Sequence, residues 1–424
     1  MSQSNLQNRF VDQTIALENA SLLDVAKGEL IPQQRIVIRD GRIVQVGAME
    51  ASTPLPKPDQ ILDIAGKTVM PGLCDAHVHV IAWTANVTDI MRMSPMYTTA
   101  RAAEIMDAML MRGFTTVRDE AGADYGLAWA VEEGYLTGPR ILFCGQALSQ
   151  TGGHGDTRGR GEQTVLGLGD MASLGRLCDG VDAVRVACRD EIRKGANHIK
   201  LMLSGGVASP TDRISNTQFS LDEIRAAVEE AEMAGLYVTG HTYTAKAVNR
   251  AIECGVRSLE HCNLIDESSI ELFLKHNAFM VPTLAAYDAL AKEGLEAGLA
   301  PDLYDKIFEV KEAGLQALSL AHDAGVNLVY GSDLLGQLHQ YQLTEFAIRS
   351  QVQAPIDIIR AATINAAELF NERGETGVIV AGARADLLVI DGDPLTDLAC
   401  LQKPEKYLKA IMKGGVLYKN ELPM

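Results

Sequence analysis

His77 and His79 lie two residues apart at the end of VMPGLCDAHVHV, residues 69–80. On a β-strand that spacing puts both imidazoles on one face, so a strand lining a barrel sends both into the same cavity. Neutral imidazole is the commonest metal ligand at neutral pH and suits Zn, Mn, Fe or Ni. Two surface or core histidines have the same spacing, so whether the pair marks a site depends on what else converges there.

The elements that must position further ligands follow in regular order. After the HxH strand, short apolar runs alternate with helical segments: TTVRD at 115–119, RILFCG at 140–145, HIKLM at 198–202, YVTGH at 237–241, SLEHC at 258–262, FMVPT at 279–283 and NLVYGSD at 327–333. Eight strand-plus-helix units over roughly 300 residues match a (β/α)8 TIM-like barrel, whose chemistry sits at the C-terminal ends of its strands. Between the fourth and fifth runs, a capping box of Ser220 and Glu223 opens a helix with apolar Ile224, Ala227, Val228 and Ala231, and Gly235 ends it. In this register Lys200 sits in the fourth run, His241 ends the fifth, His261 lies near the end of the sixth and Asp333 ends the eighth. All four then face the mouth that holds His77 and His79.

The flanks differ. From Phe10 to about Thr68, alternating runs broken by Asp-Gly and Ala-Gly turns read as antiparallel strands, with the proline-rich AMEASTPLPKPDQ as a loop. The pattern returns in TGVIVAGARADLLVIDGDPL and YLKAIMKGGVLYKN. We therefore expect residues 1–67 and 374–424 to form one small β-sandwich domain, with a catalytic barrel, 68–373, inserted between them.

Composition narrows the partners. With 38 basic and 55 acidic residues, the net charge of −17 repels phosphate backbones and anionic lipid, so neither nucleic acid nor a membrane surface is an expected partner. The seven cysteines are scattered without a CxxC pair, which favours reduced thiols and a cytoplasmic protein. The polar opening MSQSNLQNRFVDQ has no signal-like apolar stretch, and no apolar run reaches about 18 residues.

In PGLCDAHVH, the lysine of HIKLMLSGGVASP, the histidines of GHTY and LEHCNLID, the aspartate of GSDLLG and the closing GARADLLVIDGDPL, the chain resembles the amidohydrolase superfamily of metal-dependent hydrolases along nearly its whole length. SQTGGHGD and VPTLAAYDAL make it most similar to the branch with imidazolonepropionase-like proteins and prolidase-type dipeptidases. The resemblance implies two divalent metal ions, usually zinc: His77, His79 and Asp333 on one, His241 and His261 on the other, and Lys200 bridging them as its carbamate. Two cations about 3.5–4 Å apart make hydroxide available near neutral pH and polarise the scissile carbonyl. An ammonium cannot ligate a cation, whereas a free amine can take up CO2 and become an anionic bridge. Asp333 would also take the proton of the attacking water and deliver it to the leaving nitrogen.

Two more residues are expected to meet substrate. His154, in the glycine-rich TGGHGDTRGRG loop, can donate to a substrate carbonyl or carboxylate, with an exposed loop histidine as the competing reading. Tyr243, two residues beyond His241, can bind an α-carboxylate through its hydroxyl, as similar dipeptidases suggest. Leu284 to about Asp302, containing Tyr287, is expected to be a long loop that sets side-chain selectivity. His198, His276 and His322 read as structural, His339 remains near the mouth, and Gly152–Gly169 reads as a mobile rim loop. The expected activity is hydrolysis of a dipeptide or N-acyl amino acid with a free carboxylate. Alternatives are an aryl-acyl amino acid conjugate of the ochratoxin type, an imidazolonepropionase-like ring hydrolase or mononuclear deaminase, and a metal-free assembly protein. GHTYT lacks the glutamate that such deaminases usually carry beside this histidine. Similar enzymes form homo-oligomers, and we expect one here.

Overall fold

Short β-rich runs at the start of the chain pair with runs near its end. The computed structural model describes residues 13–48, 58–163 and 172–422; most of the opening segment, most of the proline-rich loop and the stretch around Gly167 and Gly169 lie outside them. Strands β1 (Thr14–Asp24), β2 (Glu29–Arg39) and β3 (Arg42–Ala48) form an antiparallel meander. β4 (Gln60–Asp63) and β5 (Thr68–Pro71) add to β1 in parallel.

The chain then crosses into the barrel through Gly72 alone. A Cβ at this position would meet Thr115 Oγ1 at 2.1 Å, so only glycine permits the crossing. One arc of the barrel consists of parallel β6 (Leu73–Val78), β7 (Phe114–Asp119) and β8 (Arg140–Phe143). A second arc contains β9 (Ala147–Ser149), β10 (Gly175–Leu177), β11 (Ile199–Met202), β12 (Val238–Thr244), β13 (Ser258–Leu264), β14 (Phe279–Val281) and β15 (Asn327–Leu328), ordered β10-β9-β11-β12-β13-β14-β15. The arcs join on one side where the Ala76 N–H donates to Tyr330 O and the Asp333 N–H to His77 O, both at 2.8 Å. On the other, the Asn197 N–H donates to Phe143 O at 2.8 Å. The third run is thus split: β8 ends at Phe143, Gly145 takes φ 75°, and the strand resumes as β9.

Helices pack outside the barrel, as the alternation of runs predicts. The capping box of Ser220 and Glu223 is present and starts Leu221–Met233, which buries Ile224, Ala227, Val228 and Ala231. The expected long loop from Leu284 is corrected: LAAYDALAKE forms a helix, Leu284–Glu293, rich in good helix formers and burying Leu284, Tyr287 and Leu290. A 3-10 turn, Pro301–Leu303, and a second helix, Tyr304–Ala324, follow it. The chain finally returns to the first sheet as β16 (Leu387–Ile390), β17 (Leu408–Lys413) and β18 (Val416–Asn420). β16 pairs antiparallel with β5, giving an eight-stranded sheet from both ends of the chain. The sheet curls around its own core of Leu17, Ile36, Ile43, Val69, Leu387 and Val389, and it closes where Ile43 N donates to Ala383 O at 2.9 Å. Its other face, with Met70, Leu388 and Ile411, packs on the barrel. Among the described residues no helix is long and apolar enough to cross a membrane.

Candidate metal centre and substrate cavity

Each strand end delivers its side chain by a local device. His77 is the penultimate residue of β6 and His79 follows the strand, so the period of two aims both rings inward. On β13 the adjacent residues Glu260 and His261 both reach the interior, which a regular strand forbids. Left-handed backbone at His261 (φ 71°) and Cys262 (φ 57°) and a register shift against β12 turn His261 inward. Thr283 (φ 49°) and Asp333 (φ 51°) share this conformation. Such backbone costs on the order of 1–3 kcal/mol per residue and clusters at functional sites.

The groups converge. His77 Nε2 and His79 Nε2 lie 3.3 and 3.1 Å from Asp333 Oδ1, and His261 Nδ1 is 3.8 Å from Asp333 Oδ2. The His241 and His261 rings are 4.6 Å apart between centroids. These five residues and Lys200 line one cleft of about 890 Å³ of atom-free space, its open mouth included. Among the described residues, His77, His261 and Asp333 place ligand atoms within 4.8 Å of one another.

Each of the four imidazoles also has one nitrogen committed to a protein oxygen. His77 Nδ1 is 2.8 Å from Glu260 Oε2, His79 Nδ1 3.2 Å from Ala121 O, His241 Nε2 3.3 Å from Gly205 O and His261 Nδ1 2.7 Å from Thr283 Oγ1. That arrangement fixes ring orientation and leaves the other nitrogen for a cation. Lys200 fits the same purpose. It is 2 % exposed, and its Nζ lies 2.8 Å from Glu120 Oε2 as an ion-pair contact, at an angle that makes no hydrogen bond. A buried ammonium with no hydrogen bond is costly, whereas conversion to a carbamate removes that positive charge and would offer anionic oxygens to a pair of cations. The residues therefore fit the two-metal set.

Electrostatics favour the ligating forms of His241, His261 and Asp333, while His77 holds a proton. Burial pushes His241 well below the ordinary imidazole range, assisted by His154 and His261; burial does the same to His261 against the pull of Asp333. Burial also lowers His77, but Asp333 and Glu260 together outweigh it and hold the ring at about 9. Burial opposes ionisation of Asp333, yet His77 and His79 hold its carboxyl well below the usual range. In the cation-free protein, one proton thus stays on His77 beside an ionised Asp333.

Beneath these side chains lies a fully buried charge cluster that sequence reasoning missed. Arg118 donates from Nε to Ala76 O at 2.7 Å and from an Nη to Glu260 Oε1 at 2.9 Å. Its Nε is also 2.9 Å from Glu120 Oε1, which is 3.1 Å from His198 Nε2. Thr239 Oγ1 donates to Glu120 Oε2 at 2.7 Å. His198, read as structural, is therefore buried beneath the centre as part of this cluster.

The remaining candidates separate. His154 is half-buried in the cleft and stacks on His241 at 4.1 Å, so it is not an exposed loop histidine. Tyr243 is buried, and its hydroxyl oxygen accepts from Tyr287 OH at 3.1 Å. Both tyrosines line the cleft. His339 does not line it; its Nε2 faces Ala82 O at 3.1 Å. His276 and His322 lie in the last turns of outer helices. Above the polar floor, Met91, Leu174, Val207, Leu290 and Leu335 form an apolar collar.

The chain is similar to known proteins over most of its length. The model of the amidohydrolase family matches residues 68–417. Ochratoxinase from Aspergillus niger is 33% identical, covering 98% of this chain and 90% of its own length; its crystal structure superposes with a TM-score of 0.82 at 30% identity, covering 96% of each chain. A prolidase crystallised with N-methylphosphonate-L-proline is 46% identical with a TM-score of 0.92, covering 96% of this chain and 100% of that one. A Xaa-Pro dipeptidase with methionine in its active site is 25% identical with a TM-score of 0.85, covering 96% and 100%. A barrel that gathers these side chains at its strand ends, matched by that family's model over most of its length, belongs to the amidohydrolase family, as a hydrolase of amide bonds.

Proposed function

We propose that this protein is a binuclear metallohydrolase that cleaves the amide bond of a dipeptide or N-acyl amino acid carrying a free carboxylate. The observation that carries this reading is the convergence of His77, His79, Lys200, His241, His261 and Asp333 on one cleft whose wall presents paired tyrosine hydroxyls. Two zinc ions, held by these residues with Lys200 as its carbamate, would supply a Lewis acid for the carbonyl and a water of lowered pKa. Asp333 accepts a proton from the attacking water and returns it to the leaving nitrogen as the C–N bond breaks, giving a carboxylate and an amine. His154 hydrogen-bonds the scissile carbonyl or the carboxylate, and Tyr243 donates to the substrate carboxylate. The similarity to a prolidase bound to a proline phosphonate supports a C-terminal residue such as proline.

A second substrate class, an aryl-acyl amino acid conjugate, is favoured by the apolar collar and by the similarity to ochratoxinase. The collar can cover an aromatic acyl group while the tyrosines hold the carboxylate. We place the protein in the cytoplasm, since all seven cysteines are buried as free thiols. We also expect a homo-oligomer, as Met96, Trp129 and Tyr135 stand 86%, 61% and 63% exposed.

The test is a screen of L-Xaa-L-Xaa dipeptides, N-acyl amino acids and aryl-acyl amino acids with metal-loaded protein, with metal counted by elemental analysis. Turnover of free-acid amides with two metals per chain is expected. A single metal, or activity confined to ring hydrolysis or deamination, would overturn the proposal. Within the active class, Tyr243→Phe should cost about 1.5–3 kcal/mol, the range for a hydrogen bond to a charged group, or roughly ten- to a hundredfold in kcat/KM. The loss should fall on free acids and spare the corresponding amides; equal losses on both would remove Tyr243 from carboxylate binding.

A further inference from the structure

The loop after β11 is built around His154. It is closed by a bridge between Ser204 and Thr217. A single ammonium, Lys306 Nζ, straps it by donating to the carbonyls of Gly206, Ser209 and Asp212 at 3.2, 2.9 and 2.9 Å. Inside the loop, Ser209 and Asp212 are 2% and 6% exposed. Ser209 Oγ lies 2.8 Å from His154 Nδ1 and also bonds Asp212 Oδ1. Asp212 Oδ2 accepts from Gln218 Nε2 at 2.8 Å, and Gln218 Oε1 accepts from the His154 backbone N–H at 2.9 Å.

Donor counting sets the direction of this chain. The Ser209 hydroxyl donates to Asp212 Oδ1, and with its one proton committed there the Ser209 oxygen accepts from His154 Nδ1–H. Nε2 is then the nitrogen left for the cleft. The ring is also held from two sides. One face stacks on His241, and on another side a Cβ at Gly206 would meet His154 Cε1 at 2.1 Å.

We propose that Ser209 and Asp212 are positioning residues, forming a relay that fixes the tautomer and orientation of His154 so that Nε2 addresses the substrate. The proposal rests on the substrate role given to His154 above. The relay serves either protonation state of the ring: Nδ1–H stays committed to Ser209, and a second proton, when present, sits on Nε2 and points at substrate.

Long-range 1H–15N spectra of histidine-labelled protein, with the His154 signals identified by their loss in His154→Asn, read the tautomer directly. Nδ1–H is expected in the wild type, and Nε2–H there would overturn the relay whatever the substrate. In Ser209→Ala, the His154 pattern should change while metal content stays the same, and kcat/KM should fall roughly ten- to a hundredfold, as for other residues that orient an active-site imidazole. Ser209→Thr, which keeps the hydroxyl, should recover most of the activity and the wild-type pattern. In a His154→Asn background, Ser209→Ala should cost nothing further. An equal loss in both backgrounds would make Ser209 merely structural. Should the wild type hydrolyse none of the amides screened, the substrate reading falls, while the spectra still decide the relay.

Discussion

Asp333→Asn is expected to abolish most turnover, lowering kcat by roughly 10²–10⁴-fold, the usual contribution of a positioned proton-transfer group. The carboxylate lies within 3.3 Å of two imidazoles at the cleft floor and is held ionised by His77 and His79. Asparagine keeps an oxygen there but cannot accept the water's proton. It also suits the backbone. Position 333 has φ 51°, a left-handed conformation that asparagine tolerates better than most residues, so the fold should survive the change. Steady-state kinetics on the best substrate from the screen, with metal content measured alongside, checks this. Turnover within about tenfold of wild type, below that range, would mean that another group moves the proton.

Lys200→Met should bring the second large loss. If the lysine bridges two cations as its carbamate, methionine fills its volume but holds no metal, so stoichiometry should fall from two to one. The lost electrostatic stabilisation should lower kcat on the order of 10²–10³-fold. In its ammonium form, before CO2 is taken up, Lys200 also faces Glu120 at 2.8 Å, so the substitution leaves that buried carboxylate with Arg118 as its remaining ion-pair partner, a loss smaller than the about 3–5 kcal/mol of a fully unpaired buried charge. Adding Glu120→Gln separates the two roles. The double variant should recover thermal stability without recovering the second metal. Two metals and full turnover in Lys200→Met would reduce Lys200 to a structural partner of Glu120.

How much of this could be read from the chain depends on which forces act locally. The alternation of apolar runs, the HxH pair and the capping box at Ser220 depend on neighbours a few residues away, and each has its counterpart in the structure. Arg118 and Glu120 carry no signal of their own, because a charge at the end of the TTVRD run does not say which face it takes; only pairing across the barrel, from Arg118 to Glu260, allows such charges inside. His261 was placed near the mouth, but strand periodicity alone turns either Glu260 or His261 outward, and the left-handed backbone that admits both has no sequence signal in Glu-His-Cys. The helix at Leu284 was legible in its own residues and was misread as a loop. Its cap is unusual: Thr283, the residue before it, gives its hydroxyl to His261, and Glu345 from a distant helix accepts the Ala285 N–H at 2.7 Å instead. Ser209 and Asp212 gave no signal, since a relay exists only once the loop is folded under His154.

The single-residue passage at Gly72 has a further meaning for how such a molecule can diversify. β5, bonded to β1 and β16, continues through Gly72 into the strand that carries His77, so the terminal sheet is the mount on which the histidine-lined floor is fixed. Excising the barrel would leave that mount unpartnered and bare the greasy underside of Met70, Leu388 and Ile411. New specificities are therefore easier to graft onto the lip of this protein than onto its foundation.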